Sequence, residues 1–179
     1  EYKVVFAGGI ETVRNTAFNV CDCARYLEDG FKIYLLGYGD EKSICMLKEK
    51  IANVNQQFGK ERLVYCGTKV GEEYDLFMSS CDIAINFQNM DEYYMRYAFP
   101  SKVLNYLNYG LLVVTTPLDT IQNSEIDCLV FYPDKMKNTP QSFAITMNQL
   151  KNVIGNSKEK IANKMIELDN KFVFDLSEL

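Results

Sequence analysis

The chain has 179 residues, 47% of them hydrophobic and 24% charged, an ordinary globular balance at a length that suits one domain with a full core. Its net charge is −5 and its Lys and Arg are scattered, which excludes the broad basic footprint of a nucleic-acid binder and leaves room only for a local cationic pocket. No apolar run reaches the roughly 18 residues that a membrane-spanning helix needs.

The first residues, Glu1 to Phe6, are already strand-like, without the charged leader and apolar segment of a signal peptide. An opening without Met suggests a piece of a longer protein. Tyr2 to Ala7 reads as a buried strand stopped by Gly8-Gly9. A helix is predicted from about Thr12 to Asp29, with Val13, Ala17, Val20, Ala24 and Leu27 on one face, and Gly30 ends it. Phe31 to Leu36 is a second strand, followed by Gly37-Tyr38-Gly39-Asp40. Asp40 suits the cap of a helix whose stripe is Ile44, Leu47, Ile51 and Val54. Arg62 to Cys66 is a third strand, Glu72 to Ser80 a short helix and Ile83 to Phe87 a fourth strand.

Gln88 to Ala98 has no clean period. Its acidic and aromatic run from Asp91 to Tyr97 reads either as a solvated loop or as a lid over a neighbouring pocket. Pro100 closes that loop. Ser101 is placed to cap a helix carrying Val103, Leu104 and Leu107, with Gly110 after it and the buried strand Leu111 to Thr115 next. Pro117 to Ser124 is turn-rich, and Asp127 to Tyr132 is a short sixth strand at an edge. Thr139-Pro140 is a strong helix start. That helix buries Phe143, Met147, Leu150 and Ile154 and ends at Gly155; the last begins at Ser157, with Ile161, Met165, Leu168 and Phe172 as its stripe.

Apolar strands alternating with amphipathic helices predict one α/β domain over 1–179: a doubly wound, mainly parallel six-stranded Rossmann-like sheet with helices on both faces. Right-handed crossovers bring the loops that follow the strands to one edge, where open α/β sheets bind ligands. Gly8-Gly9 lets a backbone approach a ligand closely. It is neither G-x-G-x-x-G nor a P-loop, which argues against an NAD-type oxidoreductase, and Ala7-Gly8-Gly9 lacks the acidic cluster of a receiver domain. Ser101 and Lys102 at a helix N-terminus suit a phosphate, where orphan N–H groups, the helix dipole and an ammonium converge; the plainer reading is a capped helix with a solvated lysine. Arg14 is either a second phosphate ligand or a solvated arginine. Gly37-Tyr38-Gly39 is either a tight turn beneath a bound group or a simple strand-to-helix turn.

The six cysteines, Cys21, Cys23, Cys45, Cys66, Cys81 and Cys128, form no C-x-x-C pair. They read as reduced thiols in apolar surroundings of a cytoplasmic protein. With no histidine in the chain, a His-based triad is excluded and a metal site is not expected.

In order and spacing, four segments resemble the C-terminal, nucleotide-sugar-binding domain of group 1 glycosyltransferases, which have the two-domain GT-B architecture. Phe6-Ala-Gly-Gly-Ile10 with Arg14-Asn15 is similar to the family's F-V-G-R-L…K-G opening. Leu36-Gly-Tyr-Gly-Asp40 is similar to I-G-x-G, and Val64-Tyr-Cys-Gly-Thr-Lys-Val70 to V-x-F-x-G-x-V. Phe99-Pro-Ser-Lys-Val-Leu-Asn-Tyr-Leu-Asn-Tyr-Gly-Leu-Leu-Val-Val-Thr115 resembles the F-P-S-K-x-x-E-Y-L-x-x-G-x-P-V-I segment of polysaccharide-assembling members.

The resemblance implies a nucleotide-diphosphate-sugar donor, with Gly8, Gly9, Arg14, Ser101 and Lys102 at the diphosphate and Asn105 at the ribose. Val70, Phe87, Thr116 and Thr120 are the implied base or sugar contacts. It implies no cofactor and no metal, an acceptor (a glycan or a lipid-linked group) held by a missing N-terminal domain, and contact with a membrane surface only through the full-length protein. No catalytic residue is assigned within this chain. The chain departs from the pattern where the family has two glutamates seven residues apart, which here are Tyr97 and Asn105. Gly9 stands where a basic residue is expected, and Leu112 stands where a proline is. Those departures favour one rival, a non-catalytic, degenerate transferase-like module; a flavodoxin-like or receiver-like signalling domain is the other.

Overall fold

Six strands lie side by side in the order β3-β2-β1-β4-β5-β6, every neighbouring pair parallel. They are β1 (Tyr2–Ala7), β2 (Phe31–Leu36), β3 (Leu63–Gly67), β4 (Ile83–Asn86), β5 (Leu112–Thr115) and β6 (Val130–Phe131). This computed structural model describes residues 1–89 and 101–177. Phe99, Pro100 and the loop reading of Asp91 to Tyr97, Tyr97 included, lie outside the described residues.

The strands are apolar because both faces are covered. Val4, Val5, Ile33, Leu35, Ile83, Ile85, Val113 and Val114 are all fully buried. The helices are α1 (Thr16–Cys23), α2 (Glu41–Phe58), α3 (Gly71–Ser79), α4 (Ser101–Asn108), α5 (Asp119–Gln122), α6 (Pro140–Leu150) and α7 (Ser157–Ser177). On one face α1 packs between α2 and α6; on the other α4 packs on α7, and α3 touches α4. The chain winds outward from β1 in one direction to β3 and then, from β4, in the other. That reversal puts a topological switch point between β1 and β4, and the loops there diverge at the carboxyl edge.

Local chemistry accounts for the helix starts. The Asp40 carboxylate accepts from the Ser43 N–H (2.9 Å) and the Ser43 hydroxyl (2.6 Å), and those bonds hold its pKa below the ordinary carboxylate value. Thr139 accepts from the Ser142 N–H ahead of Pro140 at the first helical position.

Several boundaries differ from expectation. The first helix starts only at Thr16, because Asn15 sits at φ 55°, a left-handed conformation that asparagine tolerates, and it ends at Cys23. Val13, expected on its buried face, is therefore 90% exposed in the preceding turn. The described part of α4 begins at Ser101, and the residues before it, on which the capping reading of Ser101 depends, lie outside the described residues. α6 stops at Leu150, and Ile154 enters a separate 3₁₀ turn. The sixth strand shrinks to Val130–Phe131, since Glu125–Leu129 forms a 3₁₀ helix, though it does lie at the sheet edge. Part of the turn-rich stretch is helical, as α5. Cys21, Cys23 and Cys81 are buried as expected, whereas Cys45 and Cys128 are exposed rather than in apolar surroundings.

One buried cation serves the fold at the amino edge. Arg62 donates to the Ala24 and Leu27 carbonyls (3.0 and 2.7 Å) and to Asp29 (2.7 Å), with its guanidinium 4.2 Å from the Phe58 ring centroid. Among the described residues no helix is long and apolar enough to cross a membrane.

Candidate functional site

The carboxyl ends of β1, β2 and β3 are joined through their backbones. Gly8 N–H donates to Leu36 C=O (3.0 Å), Ile10 N–H to Tyr38 C=O (2.8 Å) and Gly37 N–H to Gly67 C=O (2.9 Å). Gly37 adopts φ +149°, and a β-carbon there would lie 1.8 Å from the Gly8 carbonyl oxygen; one on Gly39 would lie 2.1 Å from the Ile10 oxygen. The two glycines therefore let the β1 loop cross against the β2 loop. Neither sequence reading of Gly37-Tyr38-Gly39 includes that crossing, which needs the partner strand.

Above this floor lies a cleft of about 260 Å³. Ala7, Gly8 and Gly9 line it from β1, Gly37 and Tyr38 from β2, and Thr68 and Lys69 from the loop after β3. Tyr74 on α3 and Lys102 on α4 complete the wall.

The Lys102 ammonium is tucked over the Gly8 backbone, 5.7 Å from the Phe6 ring centroid and 2.6 Å from where a Gly8 β-carbon would be. By its surface area the residue is nonetheless exposed to solvent. The protein packed around the ammonium still pulls its pKa below the ordinary lysine value; Arg14 lowers it further and Glu11 opposes. No carboxylate among the described residues lies within ion-pair distance of it. Lys69, by contrast, is paired with Glu73 and lies 5.4 Å from the Phe77 ring centroid. Among the described residues, Lys102 is thus the cleft lysine without a carboxylate at ion-pair distance.

Tyr106, one turn beyond Lys102 on α4, joins the helix to the floor. Its buried hydroxyl accepts from the Ala7 N–H (3.0 Å) and donates to the Ala7 carbonyl (3.2 Å).

Of the sequence-predicted site residues, Gly8, Gly9 and Lys102 come together in the cleft, and Ser101 precedes Lys102 in the first turn of α4. Arg14 is not in the lining. It is exposed and paired with Glu11 (3.4 Å), near enough for its charge to act on Lys102. Asn105 reaches the wall indirectly, its side-chain N–H donating to the Tyr74 hydroxyl at 2.7 Å. Val70 is 74% exposed just before α3, at the same edge.

Phe87 is 2% exposed and its ring packs on Phe143, centroids 4.7 Å apart, so its side chain serves the core rather than the cleft. Thr116 is fully buried, accepting from the Gln88 N–H (2.9 Å) and donating to Asn138 (2.8 Å). Thr120 lies half-buried on α5. Tyr38, Lys69, Tyr74 and Tyr106 were not singled out from sequence. Tyr38, between two glycines at a strand end and 75% exposed, had the clearest available signal. A larger hollow, about 490 Å³, lies beside β6 among Leu129, Phe131, Leu150, Val153 and Ile161, away from these loops.

No protein-family model matches the chain, and no curated protein matches it. Solved structures do. A glycosyltransferase from Rickettsia africae aligns over 93% of this chain and 43% of its own, with a TM-score of 0.69 at 16% identity. Alr3699/HepE of Anabaena, solved in complex with UDP, aligns over all of this chain and 49% of its own, with a TM-score of 0.68 at 14% identity. The C-terminal domain of a group 1 glycosyl transferase, LpcC of Francisella tularensis, aligns over 95% of this chain and 85% of its own, with a TM-score of 0.67 at 15% identity. The chain spans less than half the length of the first two. It has the fold of the C-terminal domain of GT-B glycosyltransferases.

Proposed function

We propose that the chain is the donor-binding half of a glycosyltransferase, a single Rossmann-like domain that holds a nucleotide-diphosphate sugar for transfer of a hexose. The observation that carries this reading is the Lys102 ammonium poised over the Gly8 backbone at the switch-point edge of the sheet. The leaving group of such a transfer is a nucleoside diphosphate, on which negative charge grows as the glycosidic bond breaks. Lys102, the N–H groups of Gly8 and Gly9 and the first turn of α4 at Ser101 offset that charge, with Arg14 adding to the field from the rim. These protein groups carry the charge stabilisation, and no cofactor enters the scheme. Asn105 faces the pentose. Val70 and Tyr38 offer exposed apolar surface to base or sugar, and Thr120 is assigned to the sugar side. The side chains of Phe87 and Thr116 shape the site from beneath.

The acceptor, a glycan or a lipid-linked group, is assigned to an N-terminal domain of a longer cytoplasmic protein that meets membranes peripherally. Val13, Tyr38 and Val70, strongly exposed on three successive loops of this edge, are suited to face such a domain. On this reading the chain alone binds nucleotide weakly and transfers no sugar. A second reading, a non-catalytic relative kept for assembly, draws on Asn105: an amide bonded to Tyr74 stands where related transferases carry a carboxylate.

Calorimetric titration with UDP, GDP and ADP sugars tests the proposal. Binding of one of them, lost preferentially in Lys102→Ala while the free nucleoside is little affected, is the expected result. Absence of binding to all three at millimolar concentration overturns it. Transfer or donor hydrolysis by the full-length protein separates the two readings.

A further inference from the structure

We propose that the hollow beside β6 binds a single-chain anionic amphiphile, a free fatty carboxylate, with its chain between the apolar walls and its head at Lys160. The proposal does not depend on the donor-binding reading, because the hollow and the nucleotide cleft lie at opposite ends of the sheet order.

The hollow arises where the sixth strand is cut short. β6 pairs with β5 through Val130 and Phe131 alone, since Glu125–Leu129 turns as a 3₁₀ helix, and α6 stops at Leu150. The turn from α6 into α7 closes over this edge and leaves about 490 Å³ between Leu112, Phe131, Leu150 and Ile161. That volume lies within the roughly 300–1,000 Å³ of small-molecule sites.

Shape selects the occupant. Leu112, Leu150 and Ile161 are 3%, 5% and 6% exposed, whereas Val153 is 48% exposed. The apolar walls therefore lie deep, and a flat protein surface would meet Val153 and little else. A docked strand is disfavoured as well, because an edge of two residues is too short a template. A slender, flexible chain can enter and cover the walls.

Charge selects its head. Among the described residues that line the hollow, Lys160 is the one with a charged side chain. It is exposed, and no carboxylate among the described residues lies within ion-pair distance of it. Ser157, Lys160 and Ile161 follow one another at helical spacing, so one side of the first turns of α7 supplies wall and cation together. The N-terminal end of this 21-residue helix favours an anion there too, although Glu159 in the same turn opposes it.

Cys128 also lines the hollow and is exposed, so its reactivity reports on occupancy. Cys45, exposed on α2 beside β3, is the internal control.

The test is the rate of thiol labelling at both cysteines, read by mass spectrometry, with hexanoate, octanoate, decanoate and decanol below their micelle concentrations. Decanoate is expected to slow Cys128 at least threefold and to leave Cys45 unchanged. Each two-carbon extension should lower the half-protecting concentration by roughly three- to tenfold. Lys160→Gln should raise that concentration about threefold for decanoate and leave decanol unaffected. Val153→Asp, folded by circular dichroism, should weaken both. An unchanged Cys128 rate overturns the proposal, as does equal slowing of Cys45. Lys160→Gln without effect on decanoate overturns the anionic assignment. Protection that grows with protein concentration in the absence of amphiphile would assign the hollow to a second copy of the chain. Protection by anionic lipid vesicles but not by decanoate would assign it to a membrane surface, and either result overturns the proposal.

Discussion

The Lys102 ammonium occupies space that a side chain on Gly8 would fill, 2.6 Å from the site of its β-carbon. A helix on one face of the sheet thereby places its charge directly on the backbone of the central strand's exit loop, and only glycine at position 8 leaves room for it.

Substitution at the two glycines of this floor is expected to separate binding from folding. In Gly8→Ala the new methyl meets the far end of a flexible lysine, which moves aside. Stability falls by about 1 kcal/mol or less while diphosphate affinity drops. In Gly37→Ala the methyl meets backbone at 1.8 Å in a conformation that favours glycine, and the cost is expected to exceed about 3 kcal/mol. Urea unfolding beside calorimetry reads both; equal stability losses would refute the contrast.

Lys102→Met is expected to exchange binding for stability. Its surroundings favour the neutral form, so the folded chain binds this proton less tightly than the unfolded chain does. Between the lowered folded value and the ordinary 10.5, the unfolded state carries more protons and stability rises with pH. Below that window the charge costs stability; above it the cost is gone. The variant should therefore unfold no earlier than the parent at neutral pH, lack the parent's alkaline gain and bind diphosphate poorly. A clear loss of stability at neutral pH would contradict this.

Tyr106→Phe removes the hydroxyl that both accepts from and donates to Ala7. The unpartnered Ala7 groups are expected to cost about 1–3 kcal/mol in urea unfolding. Hydrogen exchange at Gly8 and Gly9 should also quicken, because α4 no longer holds the loop. Unchanged exchange there would show that the bond does not order the cleft.

A thiol reagent should modify Cys45 and Cys128 quickly and Cys66 slowly. Cys21 and Cys81 are expected to react only on unfolding, since burial pushes their pKa values up to about 12 and about 11; Cys23, fully buried, should behave the same way. Mass spectrometry of the labelled chain checks the order, and early labelling of Cys81 would contradict the packing described.

Features written in short-range chemistry were legible in the sequence. Asp40 and Thr139-Pro140 announce their helices by local capping, and unbroken apolar strands announce a parallel sheet. Lys102 was legible as a cleft residue because a helix start after the fourth strand must lie at the carboxyl edge. What escaped depends on partners distant in sequence. Asn15 turns left-handed and delays α1, although Val13 matches the helical spacing. Phe87, at the end of its strand, looks like a ligand contact until α6 brings Phe143 against it. Tyr74 gains meaning only when α4 presents Asn105 to it, 31 residues away.

Because Gly37 and Gly39 admit the neighbouring loop at backbone distance, the bottom of the cleft has almost no side chains to change. Any divergence in ligand preference among descendants of this chain must then be written on the walls, at Tyr38, in the loop after β3 and on α3 and α4, whose residues can be exchanged one at a time, while the floor stays the same for whatever molecule is bound.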